Sequence, residues 1–307
     1  MSRRAWALFV LLSLVWGVPY WLIKVAVAEI SVPFLVFARS AVGAAVLFPI
    51  ALRDSGFTAL RGHWIPVVSF ALVEMIIPWG LLSHGEVRLN SSTAGLLIAV
   101  TPILTVILGK VFGSTEILGP LRRTGLALGF AGVSVLAAPE LGGDLGSIAE
   151  IVLAAACYAG GSIIAVRWLK NVPVIPMTVA CLAIASTCYL LPAFMTWPHS
   201  VPSTSVIAAI FGLGIVCTAV AFASFFLLIR EAGAERAVLI TYVAPAVAVA
   251  AGVAMLSEPF NARIALSFVL ILCGSRMATG RSAPAVEPKR MTINVLRLHW
   301  RNKQTNS

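Results

Sequence analysis

The chain has 307 residues, of which 60% are apolar and 11% charged, with a mean hydropathy of +0.98 and a formal net charge of +10. Soluble domains average about 45–50% apolar and about 25% charged residues, so this composition excludes an ordinary soluble domain, disorder and a collagen-like chain. The five cysteines fall inside apolar runs without a CxxC pair, so neither disulfides nor a zinc site are indicated. The sequence therefore predicts an integral membrane protein with short loops.

Apolar runs recur along the chain at the length of a membrane-spanning helix, which is about 20 residues. They predict ten such helices, at residues 5–27, 33–52, 64–84, 92–112, 122–138, 147–167, 174–195, 204–229, 237–256 and 262–280. The first run begins like a signal peptide, but it is longer than a signal-peptide core and carries Lys24, so we interpret it as a retained span. The runs are continuous rather than alternating, which excludes an outer-membrane barrel.

Basic residues fall mainly on one side of the predicted membrane. With the N-terminus inside, 18 of the 22 Lys and Arg residues lie in cytoplasmic segments. Arg88 and Arg263 lie outside, and Lys24 and Arg39 lie within spans. Because positive charge marks the cytoplasmic face of multi-pass proteins, the sequence predicts an even number of spans and two cytoplasmic termini. The same distribution explains the net charge without nucleic acid as a partner.

The two halves of the chain share a pattern, since residues 92–138 align with residues 235–280. The aligned pairs are Pro102 with Pro245, Glu116 with Glu258, Gly132 with Gly274, Trp79 with Phe222, Pro33 with Pro176 and Trp16 with Tyr158. Five helices per half is an odd number, so the second half is predicted to be inverted, as in many secondary transporters. The predicted organisation is a repeat at 1–142, an inverted repeat at 143–280, and a polar, basic cytoplasmic tail at 281–307.

Trp16-Gly17 is followed by Lys24, Arg39 lies early in the second helix, and each half has a proline-to-glutamate helix before a glycine-marked helix. This doubled pattern, over residues 5–280, resembles the EamA family of the drug/metabolite transporter superfamily. The resemblance implies a ten-helix inner-membrane carrier, usually an exporter of amino acids or other small metabolites. One departure is Ser-Thr-Glu116 where the family usually has Gly-Glu-Arg, and we expect the glutamates at these loops to brace helix ends.

Glycines 125, 129 and 132 form a small-residue face that is expected to pack within the subunit. The resemblance also allows dimerisation through the terminal helices of each half. The expected state is therefore a monomer or a homodimer in the lipid bilayer.

Polar side chains inside spans are candidate functional groups, because each ionisable one costs a few kcal/mol. Trp16, Tyr20 and Lys24 share one face of the first helix at i, i+4 and i+8, which suits an organic substrate with a carboxylate. The alternative is interfacial anchoring with a snorkelling Lys24. Glu74, ten residues into its helix, is a candidate proton carrier or ammonium ligand, or else a structural group.

His84 and Arg39 lie nearer the outer end, where they either form a positive vestibule or line the headgroup layer. The predicted substrate-binding residues are Trp16, Tyr20, Lys24, Glu74, Trp79, His84, Tyr158 and Tyr242. Three prolines, Pro78, Pro102 and Pro245, are predicted helix breaks or hinges, with ordinary kinks as the alternative.

These features predict a multi-pass secondary transporter of the bacterial inner membrane. It would export or exchange small metabolites, above all a broad range of amino acids, by alternating access around a central cavity. The chain lacks a GxSG serine, an HExxH helix, paired intramembrane aspartates and a P-loop, so no enzyme activity, metal or cofactor is predicted. A flippase of the same fold for lipid or polyprenyl-linked substrates is the alternative.

Overall fold

The structure, a computed structural model, describes residues 2–53, 56–113, 119–137, 144–233, 237 and 240–278. Within them lie ten long helical segments: α1 Arg3–Val27, α2 Val32–Arg53, α3 Trp64–Arg88, α4 Ser91–Val111, α5 Pro120–Ala137, α6 Leu145–Trp168, α7 Val174–Met195, α8 Thr204–Ala232, α9 Ile240–Leu256 and α10 Ala262–Ala278. A short 3-10 helix, Gly56–Leu60, lies between α2 and α3. Glu116, which was predicted to brace a helix end, and the predicted tail at 281–307 lie outside the described residues.

Seven of these segments, all except α5, α9 and α10, are long and apolar enough to cross a membrane. The described part of the chain contains no strand. The fold is therefore all-helical, with the apolar helices of a multi-pass membrane protein. The ten spans, their orientation and the cytoplasmic termini stay predictions.

Helices from the two halves of the chain pack against one another. The segment α5 packs along α10, α2 packs along α7, and α4 packs along α9. In addition, α1 lies against α8 and α9, whereas α6 lies against α3 and α4. Exchanging the first five helices with the last five leaves this set of contacts unchanged, which is the pattern expected of two equivalent halves.

The contact between α5 and α10 depends on glycine. A Cβ atom at Gly125 would collide with the main chain of Gly274 and Ala278, and one at Gly274 would collide with the main chain of Gly129. Small residues allow helices to approach closely in a membrane protein, where packing contributes much of the attraction between them. The prediction that this glycine face packs within the subunit is confirmed.

Several helical segments change geometry along their length. The segment α3 contains a π-helical turn at Leu72–Ile76, and α8 contains one at Gly212–Val220. The predicted alignment of Trp79 with Phe222 puts residues 72–76 opposite residues 215–219, so the two π turns coincide in it. Isolated π turns often lie at functional sites.

The three prolines predicted to interrupt helices have different settings. Pro78 directly follows the π turn of α3, and Pro102 opens the second half of α4 after a break at 99–100. Pro245 is buried inside α9, which continues through it.

Candidate substrate-binding site

Arg39 is a cation buried in the apolar interior. It lies about two turns into α2, and only 4% of its surface is exposed. Its guanidinium carbon is 3.9 Å from the ring centroid of Trp79 on α3, a cation–π contact. The Nε atom is buried and has no hydrogen-bond partner among the described residues. The aromatic face therefore stabilises the charge without using this N–H donor.

One face of α3 carries a polar stripe through the interior. Trp79, Ser83 and Glu86 are spaced i, i+4 and i+7, so they share that face, and all three are buried. The Ser83 hydroxyl and both carboxylate oxygens of Glu86 lack hydrogen-bond partners within the described part of the chain. Leaving a buried polar group unpaired costs about 1–3 kcal/mol, and more when it is charged. Such a stripe needs an explanation other than stability.

Two tyrosines bring α1 and α6 to the same place. The Tyr158 side chain of α6 lies near the Trp79 indole and interacts electrostatically with Arg39. Tyr20 of α1 is buried and interacts electrostatically with Tyr158 and Glu86. We call the group that joins these helices the interior cluster; it consists of Tyr20, Arg39, Trp79, Ser83, Glu86 and Tyr158.

Glu74 lies nearer the start of α3, inside the π turn. Its Oε2 atom is buried without a hydrogen-bond partner among the described residues and packs against Gly161 of α6. A Cβ atom at Gly161 would lie too close to that oxygen, so a larger residue there would displace the Glu74 carboxylate. Glu74 also interacts electrostatically with Tyr158, which connects it to the interior cluster.

Trp16 of α1 packs against aromatic side chains of the second half of the chain. Its ring centroid lies 5.0 Å from that of Phe225 and 6.5 Å from that of Phe222, both on α8. Edge-on and tilted contacts of this kind are favourable for aromatic rings. The ring therefore joins the first half of the chain to the second.

Three predicted substrate-binding residues use their polar groups in contacts with other parts of the protein. The Lys24 ammonium donates to the main-chain oxygens of Glu86 (2.7 Å), Leu89 (2.8 Å) and Val87 (3.5 Å), where α3 ends. The last carbonyls of a helix lack partners within it, so Lys24 caps α3. The exposed His84 Nδ1 is 2.8 Å from Glu150 Oε2. The Tyr242 hydroxyl donates to the Ser275 main-chain oxygen at 3.3 Å.

The predicted outer end of the bundle is the end that carries residues 28–31, 89–90, 196–203 and 257–261. There the buried Glu258 carboxylate accepts hydrogen bonds from the main-chain N–H groups of Ser91 (2.7 Å) and Ser92 (2.9 Å) and from the Ser92 hydroxyl (2.5 Å). These bonds join the end of α9 to the start of α4. As predicted, this loop glutamate braces a helix end.

A second carboxylate contact lies at the same end of the bundle. Glu29 accepts hydrogen bonds from the Ser203 hydroxyl (2.5 Å) and main-chain N–H (2.8 Å). These bonds, from the hydroxyl first and the N–H second, lower the pKa of Glu29 below its ordinary value of 4.5. The loop after α1 is thereby joined to the loop before α8.

The sequence profile of the EamA-like transporter family matches the chain twice, over residues 4–138 and 146–280. The chain belongs to this family. A probable terminal-alkyne amino-acid exporter of Streptantibioticus cattleyicolor is 28% identical over 302 residues, covering 94% of this chain and 99% of the relative. The uncharacterized transporter YvbV of Bacillus subtilis is 28% identical over 281 residues, covering 88% of this chain and 90% of the relative.

Another relative of this EamA-like transporter is a probable amino-acid metabolite efflux pump of Escherichia coli. It is 24% identical over 322 residues, with 98% of both chains covered. A crystal structure with 21% identity superposes with a TM-score of 0.65 and covers 91% of this chain and 98% of the other. At that identity the likeness supports the fold alone.

Sequence reasoning missed Glu86 and left Arg39 between a vestibule and the headgroup layer. The third span was predicted to end at residue 84, whereas α3 continues to Arg88 and buries Glu86. The spacing of Trp79, Ser83 and Glu86 was the available signal, because three polar or aromatic residues on one helix face mark an interior stripe.

Proposed function

We propose that this EamA-like transporter is an inner-membrane secondary carrier that exports or exchanges amino acids and related small metabolites by alternating access. The observation that carries the proposal is the interior cluster, in which the buried Arg39 guanidinium stacks on Trp79 and interacts electrostatically with Tyr158 and with the buried Glu86 carboxylate. Apolar walls with a few fixed polar groups are typical of sites for small organic ligands. The residues we assign to this central site are those of the interior cluster together with Trp16 and Glu74.

Two further observations support this proposal. The family profile matches each half separately, and the helix contacts stay the same when the halves are exchanged. Both are expected if two inverted five-helix repeats enclose a site between them. Two relatives are named as exporters of amino acids or amino-acid metabolites, which favours amino acids as the substrate class here.

The test is counterflow of labelled neutral amino acids into proteoliposomes that contain the purified protein. We expect several neutral amino acids to compete with one another, because one methylene group in an apolar pocket changes binding by only about 1–3 kcal/mol. Trp79→Leu removes the ring that faces Arg39 and should lower counterflow of every substrate. Trp64→Leu is the matched control, since Trp64 is half exposed at the other end of α3.

The same liposomes distinguish the alternative function. If no amino acid moves while a labelled phospholipid or polyprenyl phosphate crosses the bilayer, the protein is a flippase and the amino-acid proposal is wrong. If amino acids move but Trp79→Leu and Trp64→Leu behave alike, the carrier function stands and the assignment of the site is wrong.

A further inference from the structure

Arg39 and Glu86 are two opposite charges in the protein interior that do not pair with each other. They interact electrostatically, with Lys24 acting on Glu86 more strongly than Arg39 does, yet no ion pair or hydrogen bond joins Arg39 to Glu86 in the described structure. Glu86 is 0% exposed with both carboxylate oxygens unpartnered there, and Arg39 has an unpartnered Nε. Natural proteins rarely leave buried charged groups in this condition unless they have a use for them.

The unpartnered groups are distributed along one face of α3. Trp79 and Glu86 are seven residues apart, which is about 10 Å along a helix. The Arg39 guanidinium lies over the Trp79 ring, and the buried Ser83 hydroxyl lies one turn from Trp79 towards Glu86. An acceptor is therefore needed at the Arg39 end and donors are needed at the Glu86 end, with a hydroxyl of either kind between them.

We propose that Arg39, Ser83 and Glu86 bind the head group of a zwitterionic α-amino acid, with Arg39 holding its carboxylate and Glu86 holding its ammonium. An arginine fork matches a carboxylate, and a carboxylate accepts the N–H groups of an ammonium. A molecule that carries both charges satisfies both side chains. The inference rests on the proposed carrier function and names the chemistry of its substrate.

This orientation also assigns the substrate side chain. With the head group between Arg39 and Glu86, the side chain extends towards the rings of Trp79, Tyr20 and Tyr158, which provide apolar surface. The head group supplies the common recognition, and the aromatic walls accept side chains of different shapes. Lys24 then holds the end of α3 that carries Glu86 rather than binding substrate itself.

Three probes separate the two ends of the head group. L-leucine has both charges, 4-methylpentanoate lacks the ammonium, and L-leucinamide lacks the carboxylate. Each competes with labelled L-leucine in counterflow, and each is tested for its effect on the melting temperature of the purified protein. We expect wild-type protein to prefer L-leucine to either analogue by about 10- to 150-fold, which is the range for one hydrogen bond to a charged group.

The variants should lose these preferences one at a time. Glu86→Gln should abolish the preference over 4-methylpentanoate and keep the preference over L-leucinamide, and Arg39→Gln should do the reverse. Arg39→Lys keeps the charge without the fork, so it should weaken L-leucine and still prefer it to L-leucinamide. The matched controls are Glu150→Gln and Arg88→Gln, which change the same residue types at exposed or half-exposed ion pairs.

Several results would overturn the proposal. A wild-type protein that moves L-leucine but accepts either analogue equally well excludes the head-group site without any variant. Variants that weaken all three probes by the same factor show that these residues only support the fold, and amino-acid transport then stands without this site. If wild-type protein neither moves L-leucine nor melts higher in its presence, the carrier proposal fails together with this one.

Discussion

The contact between Glu258 and the start of α4 gives a sharp test of how the predicted outer end is held together. Glu258→Ala removes the acceptor of two main-chain N–H groups and one hydroxyl, all buried. The first N–H groups of a helix have no partner within it, so water or another acceptor must replace the carboxylate. The burial of Ser91 and Ser92 excludes ready access of water.

The magnitude follows from the number of donors left behind. Each buried donor without an acceptor costs about 1–3 kcal/mol, so the two N–H groups and the hydroxyl together cost about 3–9 kcal/mol. The loss of a negative charge at a helix N-terminus adds about 0.3–1 kcal/mol. Glu258→Gln keeps one carbonyl acceptor and replaces the other oxygen with an N–H donor. This variant should therefore lose about half as much stability as Glu258→Ala.

Thermal unfolding in detergent, followed by tryptophan fluorescence, measures this order. We expect melting temperatures to fall from wild type to Glu258→Gln to Glu258→Ala. Glu150→Ala is the control, because its carboxylate contacts the exposed His84 and an exposed pair of this kind contributes about 0–1 kcal/mol. Equal melting temperatures for Glu258→Ala and Glu150→Ala would refute the reasoning.

Three further predictions concern the midplane, the outer loops and the topology. Glu74→Gln should reduce amino-acid counterflow while expression and monodispersity stay near wild type, and normal flux from about pH 5 to 8 would make Glu74 a packing residue. The lowered pKa of Glu29 means that its bonds to Ser203 stabilise the fold above pH 4.5 and are lost as the pH falls through the folded-state pKa. The difference in melting temperature between wild type and Glu29→Gln should therefore be constant near neutrality and shrink in acid; a difference independent of pH would contradict this. A reporter active only in the periplasm should give signal when fused after residue 142 and none after residue 284, and the reverse result would overturn the orientation.

Much of the helical framework could be predicted because apolar runs, and the polar segments that separate them, are local properties of the sequence. Nine predicted segments overlap their helices with bounds within a few residues, as with 5–27 against Arg3–Val27. The exception is the third segment, which was predicted to end at residue 84 because Gly85 and Glu86 look like the start of a loop. Burial of a carboxylate depends on neighbouring helices, which local polarity does not report.

The candidate site was harder to predict for the same reason. Trp79 and Tyr158, both predicted site residues, are in the interior cluster, whereas Lys24 uses its ammonium to cap α3. Counting along one helix finds residues that share a face, whereas the partner of each residue depends on how the helices pack. Arg39 shows this clearly, because its position near the start of α2 gave no sign that Trp79 would cover it.

The π turn at Leu72–Ile76 has a consequence for the geometry of α3 beyond it. A π turn takes up one extra residue without the rotation of about 100° that a residue adds to an α-helix, so the outer half of α3 is out of phase with a regular helix counted from its inner half. Residue counting from Trp64 therefore assigns Trp79, Ser83 and Glu86 to the wrong azimuth. Converting the turn to regular α-helix with all its residues kept would rotate all three side chains away from Arg39 together, by about 100°, whereas deleting the extra residue would leave them in place.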